Sequence, residues 1–338
     1  MPNHHLRRAR ERAGLTQADL AARSGVSRQL VGAAEAGRHA PSVETALRIA
    51  QALEESVETL FGGTPDPPAI PASGLSDGTP VAVGRVGDRH VVHALAGLVA
   101  GDAAWALPDG VVEGGVVRLM PGAEPNGLVV IGCDPVLGLC ETLIGRGAQR
   151  RMIAVSGTTG TAVAALAGRR AHAGLVHGPE GGLPVAPAGV HRVHLARWRV
   201  GVGVDAHLGA GSLEPLLDRG VPIIQREASA ASQQALARAA GDRLPIAAQH
   251  ASGHVDAARR AAIIGGAAVT FEPAARHHGL AFIPLETHLV ELWIDDRWMD
   301  HPGATALLGL LGSDGFRGRV GLVGGYDLEG SGSLVRAA

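Results

Sequence analysis

Lysine is missing from this chain of 338 residues, whose thirty basic side chains are all arginine. That absence removes two chemistries. A phosphate-gripping glycine-rich loop needs its lysine, and a pyridoxal Schiff base needs a primary amine. Cysteine is nearly as scarce. Cys133 and Cys140 are the only two, too few for a disulfide framework or a cysteine-rich zinc site. Aromatics make up 3%, so the core has to be assembled from Ala, Val, Leu and Ile. No run is apolar for long enough to cross a bilayer. The N-terminus opens on basic residues, with neither an apolar stretch nor a cleavage site, and a reducing cytoplasm is the expected location. There is no Gly-x-Ser-x-Gly elbow, and no other nucleophile, base and orienting group form a set. The chain is not expected to be an enzyme.

Sixteen histidines invite a metal reading. Close pairs stand at His90/His93, His172/His177, His191/His194, His250/His254 and His277/His278. Only His250/His254 has i, i+4 spacing at a helix start, and it lacks the intervening Glu of a metalloprotease helix. Surface or core histidines are the expectation, with no metal and no cofactor. Gly201-Val202-Gly203-Val204-Asp205-Ala206 is a lone partial dinucleotide fingerprint, and its glycines are expected to ease motion between lobes.

What is present is a globular composition, 46% apolar, with length for two or three domains. The formal net charge of -2 gives no whole-chain preference for nucleic acid. Locally the balance differs. Residues 1–38 carry seven arginines (Arg7, Arg8, Arg10, Arg12, Arg23, Arg28, Arg38) against Glu11, Asp19 and Glu35, a basic patch suited to phosphates.

Residues 6–13 read as a helix ending at Gly14. Thr16 caps a second over 17–23, with Asp19 in its first turn. Gly25 supplies the positive φ of a tight turn. Ser27 caps a third helix over 28–36, and Ser42, after Pro41, caps a fourth that ends near residue 53. Two short helices joined by a glycine turn can set the second in a DNA major groove. Its leading side chains are Ser27, Arg28 and Gln29. Arg matches guanine O6/N7 and Gln matches adenine N6/N7, each with two hydrogen bonds. Gln17 stands ready for a phosphate beside a helix N-terminus.

Leu15-Thr16-Gln17-Ala18-Asp19-Leu20-Ala21, Gly25-Val26-Ser27-Arg28-Gln29, Glu35-Ala36-Gly37-Arg38, Pro41-Ser42 and Ala46-Leu47-Arg48-Ile49-Ala50 together resemble the Cro/C1-type (XRE-family) helix-turn-helix regulators. The resemblance implies DNA contacts by Gln17, Ser27, Arg28, Gln29 and Arg38. Val31-Gly32-Ala33-Ala34 departs from it, because bulkier residues are usual there. A glycine inside a helix costs roughly 1 kcal/mol against Ala.

Apolar periodicity stops at Gly62-Gly63-Thr64-Pro65-Asp66-Pro67-Pro68, an extended tether. The expected organisation is 1–62 DNA-binding, 63–79 linker, 80–127 a short β-rich connecting region and 128–338 ligand-sensing. From residue 128 strands alternate with helices. Strands are expected at 128–131, 173–176, 193–204, 221–224, 268–271, 281–284 and 289–294. Helices are expected at 136–144, 159–167, 213–218, 229–240, 252–264 and 304–311. This is the α/β pattern, in which ligands bind at the carboxyl ends of strands. Three strand-to-helix turns stand out there: Asp134-Pro135, the run from Ser156 through Thr158 and Thr159 to Thr161, and Gln225-Arg226-Glu227-Ala228-Ser229.

Gly132-Cys133-Asp134-Pro135-Val136-Leu137-Gly138-Leu139, Ser156-Gly157-Thr158-Thr159-Gly160, Ala173-Gly174-Leu175-Val176-His177, Gly265-Gly266-Ala267-Ala268, Leu280-Ala281-Phe282-Ile283-Pro284-Leu285 and Gly325-Tyr326-Asp327 resemble the periplasmic-binding-protein-like, molybdate-binding-like (type 2) effector domains fused to such regulators. This implies two α/β lobes around a cleft, with crossovers near 200–205 and 282–285. Ligand contacts are expected from Asp134, Ser156, Thr158, Thr159, Gln225, Arg226, Ser229 and Tyr326. Family members usually carry an Arg-Gln-x-Gly-Ser-Gly-Thr-Arg-like turn in the second lobe. Glu227 here adds a negative charge where an oxyanion would sit, which favours another small metabolite at least as much as molybdate.

The fold class expected is an all-α helix-turn-helix bundle followed by a two-lobed α/β periplasmic-binding-protein-like domain. The function expected is a homodimeric transcriptional regulator whose partners are a palindromic double-stranded operator and a small polar or anionic effector, with no membrane. The alternatives are an α/β domain that is an enzyme or a protein-interaction module attached to a DNA-binding domain.

Overall fold

A computed structural model describes residues 4–61, 69–95, 108–121, 123, 125–145, 151–244, 247 and 250–335. Residues 62–68 of the tether, and residues 96–107, 122 and 124 of the region read as a connector, lie outside the described residues. The chain divides into two compact units, Met1–Ala69 and Ile70–Ala338.

The first unit holds α1 (His4–Arg12), α2 (Gln17–Ser24), α3 (Arg28–Glu35), α4 (Val43–Leu53) and α5 (Val57–Phe61). Local chemistry sets these boundaries. Thr16 and Asp19 form a reciprocal capping box on α2, and Ser27 and Ser42 accept from Leu30 N and Thr45 N to cap α3 and α4. Gly25 ends α2 at φ 64°, a left-handed conformation that favours glycine. Leu6, Leu20, Val31, Ile49 and Leu60 fill the core between the helices.

The second unit opens with β1 (Ile70–Pro71), β2 (Pro80–Val86), β3 (Arg89–Ala94), β4 (Gly110–Glu113) and β5 (Val116–Leu119). Among the described residues these form an antiparallel sheet in the order β1-β5-β4-β2-β3. The α/β part follows with β6 (Leu128–Gly132), α6 (Val136–Ile144), β7 (Met152–Ser156), α7 (Thr159–Ala167), β8 (Ala173–Pro179), β9 (Val190–Val204), α8 (Glu214–Asp218), β10 (Ile223–Arg226) and α9 (Ala231–Ala240). It continues through β11 (His250–Ala251), α10 (His254–Ile264), β12 (Ala267–Phe271), α11 (Glu272–His277), β13 (Ala281–Asp295), α12 (Pro302–Leu311), α13 (Asp314–Val323) and β14 (Tyr326–Asp327).

Its sheet runs β11-β10-β12-β9-β13-β8-β6-β7, with β14 paired to β9. Strands β6, β7 and β8 are mutually parallel on one side, and β10, β11 and β12 on the other. The long antiparallel pair β9 and β13 runs through both lobes. All-α bundle followed by bilobed α/β domain is therefore the architecture. The small sheet packs Ala82 and Val86 against Val129, Ile153 and Trp293.

One expectation is corrected. The separate strands at 281–284 and 289–294 are one strand, carried past Pro284 by a register shift between Pro284 and Glu286. Pro284, which cannot donate to the ladder, keeps its place opposite Gly201, and Leu285 beside it is the residue left without a partner. One glycine in the crossover stretch of β9 answers a packing requirement. A Cβ on Gly201 would stand 2.0 Å from the Ile283 carbonyl oxygen, so this glycine permits close approach of two paired strands.

Candidate functional site

In the N-terminal unit, Ser27, Arg28, Gln29 and Arg38 are all exposed. The first three lead into α3 or occupy its first turn. Gln17, Thr16 and Arg28 line one shallow depression. Gln17 is half-buried, and its Nε2 donates to Glu35 Oε2 at 2.8 Å, which aims the side chain across the gap between α2 and α3.

Beneath this face lies a network that sequence reading missed. Arg10 Nε donates to Glu35 Oε1 at 2.6 Å, its Nη2 to Oε2 at 3.3 Å and its Nη1 to the Leu15 carbonyl at 2.7 Å. Both side chains are buried. Arg10 thus leaves the basic patch, because its charge is spent on Glu35 rather than offered to phosphate. The two residues lie on different helices, and nothing local in the sequence links them.

Gly32 faces Gln17. A Cβ there would stand 3.6 Å from Gln17 Oε1, which is ordinary contact. Gly32→Ala is therefore expected to stabilise the domain by up to about 1 kcal/mol, read as a rise in thermal midpoint. A lower midpoint would show that the glycine is required by packing.

In the α/β unit, the carboxyl ends of the parallel strands from both lobes converge. Asp134, after β6, is buried and accepts three hydrogen bonds, from Val136 N at 2.9 Å, Trp198 Nε1 at 3.0 Å and Tyr326 OH at 2.6 Å. Burial raises its carboxyl above the ordinary range against the pull of these donors. Burial and the neighbouring Asp134 raise the Tyr326 phenol well above its usual value. Arg226, at the end of β10, is 2% exposed. Its Nε and Nη2 each lie 3.4 Å from the Glu227 carboxylate, and its Nη1 is buried without a partner.

Around Trp198 stand His177 of β8, His254 at the start of α10 and His288 of β13, with ring centroids 4.6, 5.9 and 5.7 Å from the indole. All three histidines are buried. Burial lowers His177 and His254 well below the ordinary imidazole range, with Arg226 adding to the effect. Burial also lowers His288, against the opposing pull of Glu286.

The tautomers follow from the hydrogen bonds. Arg238 holds Glu286 ionised, so this carboxylate accepts from His288 Nε2–H at 3.2 Å. His288 Nδ1 is then a bare acceptor, and it lies 3.0 Å from His177 Nδ1. His177 therefore donates through Nδ1–H, and its Nε2 carries the lone pair. His254 has partners at neither ring nitrogen.

The other sequence-derived positions distribute differently. Thr158 caps α7 by accepting from Thr161 N. Thr159 Oγ1 donates to the His177 carbonyl and accepts from the His177 amide, each at 3.1 Å, tying α7 to β8. Gln225 lies on β10 and accepts from Gln233 Nε2 at 3.0 Å. It does not open a helix, since α9 starts only at Ala231. Ser156 and Ser229 stand exposed, and the buried group forms without them.

A helix-turn-helix family model matches residues 6–60, and a PBP superfamily domain model matches residues 145–312. An uncharacterized HTH-type transcriptional regulator of Methanothermobacter thermautotrophicus is 49% identical over 57 residues, which are 17% of this chain and 83% of that protein. Among solved structures, the restriction-modification controller protein C.AhdI of Aeromonas hydrophila is 37% identical, with 18% of this chain and 89% of that one covered and a TM-score of 0.17. A putative phosphate ABC transporter substrate-binding protein of Clostridium perfringens, with bound phosphate, is 9% identical, with 63% of this chain and 100% of that one covered and a TM-score of 0.45. Among the described residues no helix is long and apolar enough to cross a membrane. The chain belongs to the HTH-type transcriptional regulators, and behind the helix-turn-helix it carries a stretch that matches the PBP superfamily domain.

Proposed function

We propose that this protein is a ligand-responsive transcriptional regulator that binds a palindromic operator as a homodimer. The observation that carries the reading is the exposed set Ser27, Arg28 and Gln29 leading α3, on a scaffold locked from below by Arg10 and Glu35. Arg28 and Gln29 read base edges, while Gln17, Arg38 and the α2 N-terminus hold phosphates. Two-fold symmetry of such domains requires two half-sites.

The effector is a small polar or anionic metabolite taken up among Asp134, Arg226 and Tyr326. Support comes from the buried, unpartnered Arg226 Nη1, a donor whose desolvation is offset when an acceptor binds. Glu227 beside it tempers the positive charge and favours a weakly charged ligand over a multiply charged oxyanion. Effector binding shifts operator affinity by roughly 5- to 150-fold, the usual range of such coupling.

Genomic fragments retained on the purified protein, sequenced, test this. One enriched palindrome is the expected outcome. No enrichment by folded protein at low salt, with and without a small-molecule cell extract, would remove the operator reading.

A further inference from the structure

The buried centre of the α/β unit holds a donor set that the operator and effector reading does not use. Cys133, His177 and His254 each offer one ligand atom, and these atoms all lie within 4.8 Å of one another. They come from the end of β6, from β8 and from the first turn of α10, three places that the fold, not the sequence, brings together.

We propose that Cys133, His177 and His254 bind a thiophilic transition-metal ion of the zinc class, with a fourth coordination position left open. Three observations carry this. First, His254 is 1% exposed with neither ring nitrogen hydrogen-bonded. A fully buried imidazole without partners on either side is uncommon in a folded protein, and a metal ion supplies the missing partner. Second, the chain Glu286–His288–His177 fixes the His177 tautomer with its Nε2 lone pair free. A carboxylate and a hydrogen-bonded neighbour behind the imidazole are the usual support of a metal-binding histidine. Third, one thiol and two imidazoles form a soft-to-borderline set, which selects zinc-like ions over magnesium or calcium.

In a tetrahedral zinc site the donor atoms stand roughly 3.3–3.8 Å apart, given Zn–N of about 2.0–2.1 Å and Zn–S of about 2.3 Å. The widest of the present separations therefore closes by up to about an ångström on binding. Burial pushes the Cys133 thiol up to about 12 against the opposing pull of Arg226, so it is the ion that displaces the proton, which leaves to solvent as the thiolate binds. Two neutral histidines and one thiolate leave the ion with net positive charge, so the open position suits a small anion or a water.

The site stands on the geometry of this cluster and not on DNA binding, and its test involves no DNA. Full-length protein, stripped with a chelator, is titrated with zinc against a chromophoric competitor, and separately with cobalt as a spectroscopic probe. The expected result is one equivalent of tightly held zinc and a sulfur-to-cobalt charge-transfer band. Cys133→Ser abolishes the band and weakens zinc at least 100-fold, while Cys140→Ala keeps both. His288→Phe, which removes support but no ligand, weakens zinc by roughly 10- to 100-fold. Circular dichroism of each variant verifies its fold, and the wild-type cobalt spectrum stands without any variant. No stoichiometric zinc in the folded wild type, cobalt bound without the thiolate band, or a folded Cys133→Ser protein with undiminished affinity would each overturn the site.

Discussion

Glu35→Ala is expected to cost the N-terminal domain about 3–5 kcal/mol, because it leaves the buried Arg10 guanidinium without its counter-charge. A domain of this size holds only about 3–5 kcal/mol in total, so the substitution takes it to the edge of unfolding. It also frees Gln17 from the contact that aims it. The helical circular-dichroism signal on heating and the affinity for operator DNA are the two readouts, and both should fall. Replacing the pair together, Arg10→Met with Glu35→Leu, should recover most of the stability, since an apolar pair removes the desolvation cost along with the attraction. A loss under about 1 kcal/mol for Glu35→Ala would place the pair in the class of weak surface bridges. That class does not fit side chains 10% and 6% exposed.

Arg28→Ala should weaken operator binding by about 1–3 kcal/mol, roughly 5- to 150-fold, and leave binding to random DNA nearly unchanged. The side chain stands exposed at the first position of α3, where it forms no part of the core, so stability is not expected to change. Fluorescence anisotropy on both duplexes at one fixed salt concentration separates the cases, since electrostatic binding varies steeply with salt. Equal losses on both duplexes would make Arg28 a phosphate contact and move base reading to Gln29.

The elements that were legible in the sequence are those fixed by neighbouring residues. Thr16, Ser27 and Ser42 cap α2, α3 and α4 as their positions predict, because a cap is a contact between residues two or three apart. Helices α6 and α7 and the parallel strands β6, β8, β10 and β12 are likewise marked by local apolar runs. Helix α13 was not expected, since Gly315, Gly318 and Gly321 lower its intrinsic propensity. Phe316 and Val320 reach the core from it, so packing overrides that preference. Proline at position 284 reads as a strand end and instead stands beside a bulge within a longer strand. Both misses arise where long-range pairing decides.

The candidate site is legible only in outline. Strand-to-helix turns pointed to the carboxyl ends of β6 and β10, and Asp134, Tyr326 and Arg226 are buried or half-buried there. Cys133, His177 and His254 were set aside because metal-site signatures rely on close spacing, and these three share none. His250/His254 drew notice as an i, i+4 pair. His250 is exposed on β11, and the imidazole near His254 is that of His177, at 5.9 Å between ring centroids. The Arg10–Glu35 pair escaped for the same reason, as two charges in a basic segment look alike until the fold buries them.

The central claim is that α3 reads two half-sites. Footprinting of the full-length protein on an enriched genomic fragment tests it most directly. The account predicts two protected half-sites whose centres lie about 10–10.5 base pairs apart or a multiple of that, on one face of the duplex, with protection lost for Arg28→Ala. Continuous protection that spreads with concentration, ignores sequence and survives Arg28→Ala would contradict it.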